Sequence, residues 1–68
     1  MMHGLTTRER EVAAQIAASR TTQQIAASLG VNEQRVRKIT ASLAEKIEAD
    51  KNGDVRVAIA LWWHDRAA

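Results

Sequence analysis

Apolar residues recur along this chain in four runs at helical spacing. Val12, Ala13 and Ile16 share one face, as do Ile25, Ala26 and Leu29, then Val36, Ile39, Leu43 and Ile47, and last Val55, Ala58, Ile59 and Trp62. Such recurrence at three- and four-residue steps predicts amphipathic helices. The polar positions between the runs supply start signals. Thr6-x-x-Glu9 and Thr21-x-x-Gln24 are capping boxes: the hydroxyl accepts from the amide three residues on, and the longer side chain reaches back to the cap. Asn32 caps a third helix, with Glu33 near the positive end of its dipole. ADKNGD, from Ala49 to Asp54, is turn chemistry, and Asp54 or Asn52 caps a last helix. The expectation is an all-α fold, a compact four-helix domain over residues 1–68 with helices at about 7–18, 22–29, 33–48 and 54–66.

The stretch from Thr21 to Ile39, TTQQIAASLGVNEQRVRKI, joins two of these helices through a tight turn. Ala26 is small where the helices would cross, and Gly30 can take the left-handed conformation at little steric cost. This is the pattern of a DNA-binding helix-turn-helix. With Val36, Ile39, Leu43 and Ile47 committed to the core, a rotation of about 100° per residue leaves Gln34, Arg37, Lys38 and Ala41 on the opposite side. An amide, a guanidinium, an ammonium and a methyl can read major-groove edges or hold phosphates. Arg35 lies to the flank, suited to the DNA backbone. Glu45 sits further along, beyond the groove if the helix enters by its N-terminal end.

Charge sharpens this picture more than composition does. The net charge is only +2, but between Arg20 and Lys38 four cations (Arg20, Arg35, Arg37, Lys38) stand against Glu33 alone. From Ile39 to Asp54, Lys46 and Lys51 are outnumbered by Glu45, Glu48, Asp50 and Asp54. Positive charge therefore concentrates where a phosphate-facing surface needs it. Sixty-eight residues form one small domain, too short for an enzyme with a deep cleft. With neither cysteine nor proline, no disulfide framework or thiolate metal site is expected. His3 and His64 have no convergent acidic partner and read as surface residues, so no metal and no cofactor are expected. Ser19, Ser28 and Ser42 lie in helical segments without a base placed to activate them, and no phosphate-binding glycine loop is present. No catalytic residue and no enzymatic activity are expected. The N-terminus lacks signal-peptide character and no apolar run approaches membrane-spanning length, so no membrane partner and a cytoplasmic location are expected.

The last helix is apolar nearly all round. Val55, Ala58, Ile59 and Trp62 form one side and Val57, Ala60, Leu61 and His64 the other. One side fills the core, with Trp62 packed there, while Trp63 divides between partial core and the rim of an interface. The second side needs a partner or remains an exposed apolar patch.

With these residues in view, the chain resembles the DNA-binding domain of LuxR-type (GerE-like) regulators, a relative of the sigma-factor domain that reads promoters. LTTREREV, from Leu5 to Val12, looks like the family's LTxREREV; Ile25-Ala26-x-x-Leu29-x-Val31-Asn32 resembles IAxxLxIS; Val36-Arg37 resembles VK; RVAIALW, from Arg56, is similar to the start of its last helix. The last of these separates the chain from the sigma domain. Ile39 stands at a frequent family histidine and Arg35 at a frequent threonine. The resemblance implies that Arg37, Lys38 and Ala41 point into the major groove, that amides near Thr22 and Gln23 meet phosphate, and that Val57, Ala60 and Leu61 join two copies. Taken together, the DNA-binding residues expected are Thr22, Gln23, Gln34, Arg35, Arg37, Lys38 and Ala41, and the dimer interface Val57, Ala60, Leu61 and His64. The function expected is a freestanding, homodimeric, sequence-specific transcription regulator that binds double-stranded DNA and is governed by concentration, a partner or an operator. The alternative is a protein-binding antagonist that pairs through its fourth helix with a heterologous transcription factor, LuxR-type or sigma.

Overall fold

The caps act where the sequence places them. In the computed structural model, which describes residues 4–49 and 53–67, Thr6 donates its amide to Glu9 Oε1 at 2.8 Å and its hydroxyl accepts from Glu9 N at 3.1 Å, starting α1 (Thr7–Ala17). Thr21 and Gln24 repeat the exchange at 2.9 and 3.0 Å to start α2 (Thr22–Leu29). Asn32 Oδ1 accepts from Arg35 N at 2.7 Å and opens α3 (Glu33–Lys46). Asp54 Oδ1 accepts from the amides of Arg56 and Val57 at the start of α4 (Val55–Ala67). Asn52, the other candidate cap, lies outside the described residues, as does His3.

The first three helices end alike, each with a left-handed residue that turns the chain and satisfies terminal carbonyls through a six-to-one hydrogen bond. Gly30 (φ 70°) closes α2, with Val31 N donating to Ala26 O at 3.0 Å. Ser19 (φ 63°) follows α1, with Arg20 N donating to Gln15 O, and Glu48 (φ 57°) follows α3, with Ala49 N donating to Ala44 O at 2.9 Å. Hence α3 stops at Lys46, about two residues before the expected end. Periodicity continues through Ile47, which still packs on the core, but the backbone has already begun its reversal.

α1 lies at the centre, against both α3 and α4, while α2 packs on α3. The core is Val12, Ala13 and Ile16 from α1, Ile25 and Ala26 from α2, Val36, Leu43 and Ala44 from α3, and Ile59 from α4. Each fully buried large side chain among them contributes about 1.5 to 3 kcal/mol. In α4 the core stripe is Val55, Ile59 and Trp63, not the side that ends in Trp62. Trp62 is instead half-buried, with the Arg66 guanidinium 5.3 Å from its ring centroid. A helix apolar nearly all round has no periodic signal to fix its rotation; contact with α1 fixes it here.

Among the described residues one charged group enters this core. Glu9 is buried and accepts, besides the Thr6 amide, Ser42 Oγ at 2.7 Å and Lys46 Nζ at 2.8 Å. Lys46 also donates to Gly4 O at 3.3 Å, so a single cluster ties the N-terminal turn, α1 and the end of α3 together. Burial pushes the Glu9 carboxyl up, but hydrogen bonds from Lys46, Thr6 and Ser42 and the charge of Lys46 outweigh it and hold the group at about 2.

Candidate nucleic-acid interface

Because Val36, Leu43 and Ala44 are buried against α1 and α2, the opposite side of α3 faces outward. Gln34, Arg35, Arg37, Lys38 and Ala41 are all exposed, and three of the five are cationic. Arg37 and Ala41 line an open groove with Thr22 at the start of α2 and with Thr40, Glu45 and Arg56. Thr22 is half-buried at that edge and Gln23 is exposed beside it. The Thr21 hydroxyl takes the amide of Gln24, whereas the amides of Thr22 and Gln23 have no acceptor within the helix and mark its positive end. Thr22, Arg37 and Ala41 thus border one concavity. Gln34 and Lys38 stand on the outer ridge of α3, and Arg35 stands on the far flank, its amide engaged by the Asn32 cap.

Two contacts at this surface have no counterpart among the sequence expectations. Glu33 Oε1 lies 3.4 Å from Arg37 Nη2, one helical turn on, so the outward face of α3 carries an ion pair beside the exposed cations Arg35 and Lys38. The four-residue spacing could have signalled it. Arg56 of α4 donates to the carbonyl of Arg20, just ahead of the Thr21 cap, and lines the same groove. That contact spans α4 and the turn before α2, a separation no local pattern encodes.

Among the described residues the exposed large apolar side chains are Val57 and Leu61, at 53% and 66% exposure. They are four residues apart on one face of α4. Ala60 is half-buried, and His64 is exposed with Nε2 3.3 Å from Ala17 O at the end of α1. Of the three serines, Ser42 donates to the Glu9 carboxylate at 2.7 Å. That carboxylate is also engaged by the Thr6 amide and by Lys46, so the contact belongs to the cluster that ties α1 to α3. Among the described residues no cluster of His, Asp or Glu could hold a metal ion, and no helix is long and apolar enough to cross a membrane.

The sequence model of the luxR family of bacterial regulatory proteins (GerE) matches residues 3–59. The match takes in α1, the helix-turn-helix and the start of α4. Comparison with curated proteins and with solved structures finds no match.

Proposed function

Because the chain belongs to the luxR family of bacterial regulatory proteins, whose domain is a non-enzymatic helix-turn-helix that binds DNA in transcriptional regulation, we propose that it reads a specific operator with α3 and does so as a homodimer. The carrying observation is the outward face of α3, where Arg35, Arg37 and Lys38 are exposed and Arg37 borders one groove with Thr22 at the N-terminus of α2. In this reading α3 enters the major groove by its N-terminal end. Arg37, Lys38 and Ala41 meet base edges, Gln34 reads beside them, and Arg35 with the amides of Thr22 and Gln23 holds backbone phosphates. The protein works in the cytoplasm, where chromosomal DNA lies.

The exposed pair Val57 and Leu61 supports self-association, with Ala60 and His64 at its margin. A two-fold interface on α4 would present two copies of α3 to half-sites about 34 Å apart. It would also make the domain's own concentration a regulating variable, since dimerisation follows mass action. The same face favours one second reading, an antagonist that pairs through α4 with a heterologous transcription factor. Mobility shift on genomic fragments, beside light-scattering mass measurement, separates the two. A retained fragment and a dimer mass support the regulator. A monomer at high micromolar concentration that shifts no fragment leaves the antagonist.

A further inference from the structure

We infer that Glu33 is a positioning residue for sequence readout: it holds the Arg37 guanidinium over the N-terminal end of α3 and away from the DNA backbone. The inference rests on the DNA-binding reading above and deepens it. Helical side chains lean towards the N-terminus, so the natural reach of Arg37 lies above Glu33, one turn back. Their contact at 3.4 Å places the guanidinium there. Both side chains are largely exposed, at 46% and 65%, so as a surface pair they add little to the stability of the fold. Nor is Glu33 needed to cap α3, since Asn32 already does so.

Its position matters for another reason. Glu33 is the single anion among the cations of residues 20–38, at the end of α3 that leads into the groove. A carboxylate there repels phosphate, which any sequence offers, and leaves Arg37 directed at the two acceptors on a guanine edge, which only some sequences offer. Without it, Arg37 is free to swing to the nearest phosphate, gaining affinity that carries no sequence information.

The test compares wild type, Glu33→Gln, Arg37→Ala and the double variant on a duplex selected by the wild type from a randomised pool and on a scrambled duplex, across a salt series. Glu33→Gln is expected to tighten binding to the scrambled duplex about 3- to 10-fold and to steepen its salt dependence by about one, as Arg37 takes a phosphate. Affinity for the selected duplex changes less, so discrimination falls at least about threefold. In the Arg37→Ala background the same substitution is expected to leave discrimination unchanged, because the group that Glu33 positions is gone. Equal tightening on both duplexes, or a loss of discrimination that persists without Arg37, overturns the inference and leaves the DNA reading intact. A wild type that cannot tell the selected from the scrambled duplex overturns that reading and this inference with it.

Discussion

Replacing Glu9 with glutamine tests how the fold tolerates a buried charge. The glutamine amide oxygen can still accept from the Thr6 amide, as Gln24 does from Thr21 in α2, so the capping box survives. What disappears is the charge facing Lys46. Unfolded, the Glu9 carboxyl takes its proton near 4.5; folded, near 2. Between those values the unfolded chain binds more protons, so this contribution is full above about pH 4.5 and is lost as pH falls towards 2. At about 1.4 kcal/mol per pH unit the separation corresponds to about 3 kcal/mol. Lys46 keeps 34% of its side-chain surface in water and can rehydrate, which moves the cost of the substitution towards about 2 kcal/mol rather than the larger penalty of a fully buried orphan. Against a total stability of about 3 to 10 kcal/mol for a chain of this size, that is a large share.

Urea unfolding of both proteins, followed by far-UV circular dichroism from neutral pH to about pH 2, isolates the effect. Every other carboxylate is common to the two, so the difference between them reports Glu9 alone. That difference is expected near 2 to 3 kcal/mol at neutral pH, equivalent to a melting point lower by about 10 to 20 °C, and close to zero at about pH 2. A difference that stays constant across the acid range would refute the reasoning, because it would assign the loss to shape or hydrogen bonding and not to the charge.

Four further outcomes are expected. Arg37→Ala and Lys38→Ala each weaken DNA binding with the melting point retained: loss of a guanine contact costs about 1 to 3 kcal/mol at one base position, whereas loss of a phosphate contact lowers the salt slope by about one, and wild-type affinity in both variants removes α3 from the groove. Ala26→Leu, at a position 5% exposed between α2 and its neighbours, destabilises by about 1 to 3 kcal/mol, which an unchanged melting point would contradict. Glu48→Gly stabilises by about 0.5 to 1 kcal/mol by relieving a left-handed backbone, while Gly30→Ala, where the added methyl meets open space, costs about 1 kcal/mol through backbone strain alone; equal melting points in all three proteins would deny the strain. Leu61→Glu, at a side chain 66% exposed, leaves helicity unchanged and reduces the proposed homodimer to a monomer by mass; a wild type that is already monomeric, or a dimer that persists in the variant, would contradict an interface on this face.

The sequence was most legible where the signal is local. The caps at Thr6, Thr21 and Asn32, the turn at Gly30 and the outward ridge of Gln34, Arg37 and Lys38 each depend on residues within about one or two turns of one another. Contacts across the fold were not legible in this way. Glu9 carries a capping signature that is correct and incomplete, because Ser42 and Lys46 reach it from α3, more than thirty positions away. Glycine would have announced the ends of α1 and α3, but Ser19 and Glu48 occupy those left-handed positions, so the stop after Lys46 left no mark in the composition.

The rotation of α4 exposes the limit from the opposite direction, through an excess of apolar signal. A helix with one apolar stripe declares which side is buried; a helix with two leaves open which of them that is. α1 selects the stripe of Val55, Ile59 and Trp63, and that choice leaves Val57 and Leu61 in water. The core could have been closed with a polar residue at position 61 at no cost to its packing. The proposed self-association through this face would cover Val57 and Leu61 together, and a mass measurement can reject it.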